Sequence, residues 1–254
     1  MNSRSDKAAL VTGASRGIGR AVARRLAADG TLVAVHYGSD HAAAKETLAE
    51  IERTGGRAFT VQARLGVEGD VDTLFAGLER GLDGRPLDIL VNNAGVLDLT
   101  PFGEVTAEAF DHSFAVNVRA PFLIAQRALA LIPDGGRIIN ISSAVTRVAS
   151  PFPHYAMGKG ALDVMSLTLA QLVGPRGITV NSVSPGVTDT DMGSWVHAAE
   201  ELQESVVSAV ALGRLGEPDD IADAVAFLAS PAGRWITGVT LDASGGTWLG
   251  PSMN

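Results

Sequence analysis

Ser143 lies twelve residues before Tyr155, and Lys159 follows the tyrosine by four. On a helix, residues i and i+4 share a face, so a phenol and an ammonium group would sit one above the other. A free phenol has a pKa of about 10 and is a poor proton shuttle near neutrality. A cation beside it favours phenolate and would lower that value, which makes the pair a candidate proton donor and acceptor for carbonyl–alcohol chemistry. Taken alone, a Tyr-x-x-x-Lys pair is usually an ordinary helix contact. The setting has to decide.

A second motif is TGASRGIG (12–19), which joins an apolar run to an amphipathic one. Gly13, Gly17 and Gly19 remove Cβ atoms where a strand turns into a helix and where phosphate would approach. The backbone amides of Ser15, Arg16 and Ile18 and the positive helix end would then face an anion. The pyrophosphate of a dinucleotide suits such a turn. An NAD site calls for a carboxylate at the end of the second strand to hold the ribose 2′-hydroxyl. That end reads VHYGSDH, with Tyr37 and Ser39 and no carboxylate before Asp40. Arg16 can pair with a 2′-phosphate, so NADP(H) is the expected cofactor and NAD(H) the lesser one.

Composition removes other classes. The 254 residues include no cysteine, which excludes disulfides, thiolate nucleophiles and Cys-ligated zinc. His36, His41, His112, His154 and His197 fall outside metal-binding spacings, so no metal is expected. A net charge of −8 argues against nucleic acid or an acidic membrane as a partner. No apolar run reaches the roughly 20 residues needed to cross a bilayer. The N-terminus does not read as a signal peptide, and a cytoplasmic protein is the expectation.

The reactive groups need a scaffold, and short apolar runs alternate with amphipathic segments along the whole chain. Strands are expected at AALVT, LVAVHY, AFTVQA, LDILVNNAG, GRIINIS, ITVNSVSPG and GVTLDASGG. The helices between them include a long one over about 105–131, one from Tyr155 to Val173, and two over about 194–211 and 218–229. This alternation calls for an α/β fold: a Rossmann-type doubly wound parallel sheet of seven strands, helices on both faces, in a single domain over 1–254. Continuously apolar strands fit a sheet covered on both sides.

TGASRGIG after the first strand, NNAG (92–95) after the fourth, Tyr155-x-x-x-Lys159, and SPG (184–186) after the sixth together resemble the short-chain dehydrogenase/reductase family. The closing GRLGEPDDIADAVAFLAS and ITGVTLDASGG are similar to its C-terminal third, so the resemblance covers nearly the whole chain. It implies that Tyr155 is the catalytic acid/base and that Lys159 also binds the nicotinamide ribose. It implies that a serine hydrogen-bonds the substrate oxygen and that Asn117 holds a water in a proton relay. Asn92, Ala94 and Gly95 would line the adenosine ribose. Pro185, Gly186, Thr188 and Thr190 would hold the nicotinamide end. Family spacing selects Ser142 as the serine, whereas the strand register of IINISS selects Ser143. Side chains alternate along a strand, so one of the two faces the site, and register favours Ser143. Two departures stand out. Gly38-Ser39 replaces a second arginine after the second strand, and Arg64 and Leu65 stand where relatives carry an adenine-binding aspartate. Arg64 could stack on the adenine face, with Leu65 contributing a backbone bond.

On the substrate side, the segment after SPG reads as a lid over about 188–213. Met192, Trp195 and Val196, with Leu97 and Phe152, are the expected lining, and Trp248 is a further candidate. This suggests a roomy apolar site for a ketone. The chain resembles 3-oxoacyl-carrier-protein reductases in general pattern and keeps Arg127 and Arg176. It lacks the basic cluster often found before strand five, so a free ketone, cyclic or polyketide-like, is preferred. A non-catalytic NADP-binding regulator is the alternative of another class, and an epimerase or dehydratase a third. The resemblance implies a homotetramer.

Overall fold

The computed structural model describes residues 7–249. The start of the stretch read as lacking a signal peptide, and both ends of the expected domain, lie outside them. The strands are β1 (Ala8–Val11), β2 (Leu32–Tyr37), β3 (Arg57–Gln62), β4 (Ile89–Asn92), β5 (Arg137–Ile141), β6 (Thr179–Pro185) and β7 (Thr240–Ala243). They form one parallel seven-stranded sheet in the order β3-β2-β1-β4-β5-β6-β7. The α-helices are α1 (Gly17–Ala28), α2 (His41–Arg53), α3 (Asp70–Leu82), α4 (Ala107–Phe114), α5 (Ala120–Ala128), α6 (Pro153–Val173), α7 (Glu200–Ser208) and α8 (Pro218–Ala229).

Strand alternation sorts the core into two layers. Leu10, Leu90 and Ile138 pack with Leu74, Phe75 and Leu78 of α3, Ile124 of α5 and Ala170 of α6. Their neighbours Val11, Val91 and Ile139 face the other way, onto Val22 and Leu26 of α1 and Ile221 and Val225 of α8. Strand order reverses between β1 and β4, which opens a crevice at their carboxyl ends where ligands of such sheets bind.

Two expected helices differ from expectation. The long helix over 105–131 is α4 and α5 joined by a π turn over Ala115–Arg119. Pro121 has no N–H to give the Asn117 carbonyl, so the i→i−4 ladder breaks there. Ala120 N–H instead reaches back five residues to the Ala115 carbonyl. The segment read as helical over 194–211 is a 3-10 helix, Asp191–Ala198, followed by α7. A Cβ on Gly193 would lie 2.2 Å from the Thr188 carbonyl, a close approach that goes with the tighter coil, and the extended Ala199 (φ −151°, ψ 144°) separates the two pieces. Among the described residues, no helix is long and apolar enough to cross a membrane, and no group of three or more His, Cys, Asp or Glu could hold a metal.

Candidate active site

The glycine turn lies at the crevice with Gly13 at φ 64° and Gly17 at φ 52°, conformations that favour glycine. A Cβ on Gly13 would sit 2.9 Å from Ala94 Cα, and one on Gly19 2.2 Å from the Gly13 carbonyl. Glycine at these positions lets the turn close tightly on itself and on Ala94.

Three polar side chains that the sequence reading did not assign hold this turn. His36 is buried at the end of β2. Its Nδ1 accepts from Gly13 N–H at 3.0 Å, so Nε2 carries the hydrogen and donates to the Ala63 carbonyl at 2.9 Å. Burial outweighs that bond and pushes its pKa from 6.5 down to about 4. Asn93 Nδ2 donates to the Thr12 and Gly13 carbonyls at 2.8 and 3.1 Å. Thr12 Oγ1 accepts from Asn93 N–H at 2.9 Å and Ala94 N–H at 3.0 Å. The available signal was positional: polar residues at the carboxyl ends of three adjacent strands.

The residues expected at the adenine half are less uniform. Arg16 is exposed, with Nη1 3.4 Å from Asp191 Oδ2. Tyr37 is buried and its hydroxyl meets His41 Nδ1 at 2.7 Å. Ser39 and Arg64 are exposed, and Leu65 packs against the core. Asn92 turns its side chain away from the crevice, toward the α6 side of the sheet. Its Nδ2 donates to Asn140 Oδ1 at 2.9 Å, Asn140 donates to Ser166 Oγ at 2.8 Å, and Ser166 meets Ser182 Oγ at 2.9 Å. This buried chain ties β4, β5, α6 and β6 together.

At the reacting centre, α6 begins with Pro153, whose fixed φ suits a first turn, and carries Tyr155 and Lys159 on one face. Both are buried. Ser143 lies beside the Tyr155 phenol, close enough to favour its ionised form. Ser142 points the other way, donating to the Lys159 carbonyl at 3.3 Å. Lys159 Nζ donates to the Ile141 carbonyl at 2.9 Å and lies 5.8 Å from the Tyr155 ring centroid. A Cβ on Gly95 would come within 2.9 Å of Asn117 Oδ1 and 3.3 Å of Lys159 Nζ, so these groups converge on one glycine. Asn117 is held by Val96, accepting from its N–H at 3.0 Å and donating to its carbonyl at 2.9 Å.

Burial opposes the expected acidification of Tyr155. It pushes the phenol up to about 12, and Ser143 only partly offsets this. Lys159 is itself lowered to about 8 by burial, opposed by the charge of Asp163. Desolvation is the larger effect on Tyr155, and it favours the protonated phenol.

Beyond β6, Pro185 is buried and a Cβ on Gly186 would lie 2.9 Å from Thr247 Oγ1. Thr188 donates to the Gly186 carbonyl at 3.1 Å, and Thr190 to the Thr188 carbonyl at 3.3 Å. Met192 is exposed, while Leu97, Phe152 and Trp195 are half-buried. Val196 has no accessible surface, which makes it packing under the lid rather than open wall. Trp248 is exposed, its backbone N–H bonded to the Ala209 carbonyl at 2.9 Å. A cavity of about 290 Å³ opens beside Pro153 and His154, walled by Phe102, Val105, Phe110 and Met157, none of them expected as lining.

The family described as enoyl-(acyl carrier protein) reductase matches residues 13–247. The short-chain dehydrogenase/reductase AacuN of Aspergillus aculeatus is 40% identical, over 94% of this chain and 94% of its own. The chain belongs to the short-chain dehydrogenase/reductase family. It is therefore an oxidoreductase by family, and its sheet is the one that the family resemblance implied. Two solved reductases are similar throughout. LanV, an angucycline C-6 ketoreductase with bound NADP, is 56% identical with a TM-score of 0.93 and 98% of both chains covered. LugOII, a promiscuous reductase that catalyses keto-reduction at C1 during lugdunomycin biosynthesis, is also 56% identical with a TM-score of 0.93, covering 98% of this chain and 100% of its own.

Proposed function

We propose that this protein is an NADPH-dependent ketoreductase that converts a free cyclic ketone of the fused-ring, polyketide-like class to a secondary alcohol. The observation that carries this reading is the buried Tyr155 phenol, with Ser143 beside it and Lys159 one helical turn away. The Gly13–Gly19 turn would hold the pyrophosphate. Arg16, Tyr37 and Ser39 would face the 2′-phosphate, and Arg64 and Leu65 the adenine. The Asn92 backbone, Ala94 and Gly95 would meet the ribose, and Pro185, Gly186, Thr188 and Thr190 the nicotinamide end. When bound, NADPH supplies the hydride that reduces the carbonyl carbon.

The chain's own residues handle the oxygen. A carbonyl oxygen placed between Ser143 Oγ and the Tyr155 hydroxyl accepts from both, and its growing negative charge is stabilised there. Tyr155, held protonated by burial, gives that oxygen its proton. The Lys159 ammonium then faces the phenolate left behind. Asn117, whose carbonyl cannot receive an N–H from Pro121, would hold the water of a relay that reprotonates Tyr155.

The similarity to LanV and LugOII supports the substrate class. Against a carrier protein stand the two arginines that could have docked one. Arg127 pairs with Asp72 and Glu79, and Arg176 with Asp134 at 3.0 Å. Both cations already have carboxylate partners within this chain. A catalytically silent regulator is disfavoured because the tyrosine and the lysine are both present. A homotetramer is the assembly we favour. Phe122 of α5 and Met157, Val164, Leu167 and Leu172 of α6 are exposed and would be covered in one interface, and Trp235 near β7 in another.

The test is turnover of a fused-ring ketone such as a tetralone with NADPH, followed by loss of reduced-nicotinamide absorbance. Tyr155→Phe should lower kcat about 10²- to 10⁴-fold, the range of general acid catalysis. NADPH affinity should stay near the parent's. A Tyr155→Phe variant that turns over as fast as the parent would remove the assignment.

A further inference from the structure

We infer that Asp191 tunes coenzyme choice by competing with the 2′-phosphate of NADPH for the Arg16 guanidinium. The inference deepens the proposed function, since it rests on Arg16 as the partner of that phosphate.

Arg16 sits just before α1 with extended backbone (φ −158°, ψ 174°), and its side chain caps nothing in the helix. Arg16 Nη1 lies 3.4 Å from Asp191 Oδ2, with the two side chains 65% and 73% exposed. The neighbouring arginines are otherwise engaged. Arg20 donates to the Ser15 carbonyl at 2.8 and 3.1 Å and to Glu46 at 2.9 Å, and Arg24 reaches Glu50 at 3.3 Å. Arg16 is thus the guanidinium of the glycine turn with donors to give.

Asp191 opens the 3-10 helix that begins the lid, directly after Thr190. Thr190 Cγ2 lies 3.3 Å from the position of a Cβ on Gly17, so the base of the lid touches the glycine turn. The nearest carboxylate past β2, Asp40, caps α2 by accepting from Ala43 N–H at 2.9 Å. Asp191 is therefore placed to hold Arg16 before coenzyme arrives. A phosphate dianion presents several acceptors to a guanidinium fork and draws it from a single carboxylate oxygen. The neutral 2′-hydroxyl of NADH exerts no such pull. Asp191 should therefore weaken NADPH binding and leave NADH binding alone.

The experiment is a fluorescence titration of NADPH and of NADH into the full-length parent, Asp191→Asn, Arg16→Ala and the double variant, at low and high salt. Exposed ion pairs are weak, so Asp191→Asn should tighten NADPH about two- to fivefold at low salt, less at high salt, with NADH unchanged. Asp191→Ser should behave alike. In the Arg16→Ala background, loss of Asp191 should change neither coenzyme. Equal shifts for NADPH and NADH, or no shift, would overturn the inference. So would the same gain without Arg16, because Asp191 would then act on the phosphate directly. If Arg16→Ala leaves NADPH affinity intact, the phosphate assignment of Arg16 itself fails, and turnover with Tyr155 as acid still stands.

Discussion

Lowering the pH from 6.5 to about 4 changes the demand on His36, the imidazole that holds the glycine turn. In the unfolded chain this histidine takes a proton near 6.5, whereas in the folded protein it stays neutral until about pH 4. Between those values the unfolded state binds more protons, so acid favours unfolding. The stabilisation is fully present above 6.5, declines as the pH falls, and is gone below about 4. At about 1.4 kcal/mol per unit, the interval is worth about 3 kcal/mol. Protonated Nδ1 cannot accept from Gly13 N–H, so the loss is felt at the turn that faces the pyrophosphate. The assay is urea unfolding of the parent and of His36→Gln at a series of pH values, with NADPH affinity measured alongside. At neutral pH the variant should be less stable by about 1–3 kcal/mol, because buried partners lose their bonds. Acid should then close the gap, since only the parent carries this titration. Parallel stability curves for the two proteins would refute the reasoning.

Lys159, pushed down to about 8, is charged below that pH and neutral above it. The kcat/KM for ketone reduction should therefore be level below about 8 and decline above it, as a pH–rate profile will show. Ser143→Ala removes a donor to the developing oxyanion and should lower kcat about 10²- to 10³-fold. Ser142→Ala, which loses a bond to the α6 backbone, should keep kcat near the parent's; the reverse pattern in steady-state kinetics would exchange the two roles.

Much of this protein was readable in one dimension. A period of two or of 3.6 in apolar residues reports which side of a strand or helix is covered, so the seven strands and most helices followed from pattern. Gly13, Gly17 and Gly19 declared a turn without Cβ atoms, and Tyr155 and Lys159 declared a shared face, because both are local geometry. The long helix over 105–131 read as unbroken although Pro121 lies within it, because its apolar pattern continues across the π turn at Ala115–Arg119, where Val96 of another loop holds the Asn117 side chain. The choice between Ser142 and Ser143 likewise waited on α6, which claims one of them.

What the tertiary structure alone decided is where water is excluded and which distant groups meet. Enclosure raised Tyr155 against the pull of Ser143 and lowered His36. Chain crossing brought Arg16 within reach of Asp191, and Asn93 onto the glycine turn. Spacing along a chain carries the repeat of its own backbone. Desolvation and contact between remote residues belong to the packed solid, where strands far apart in sequence end side by side.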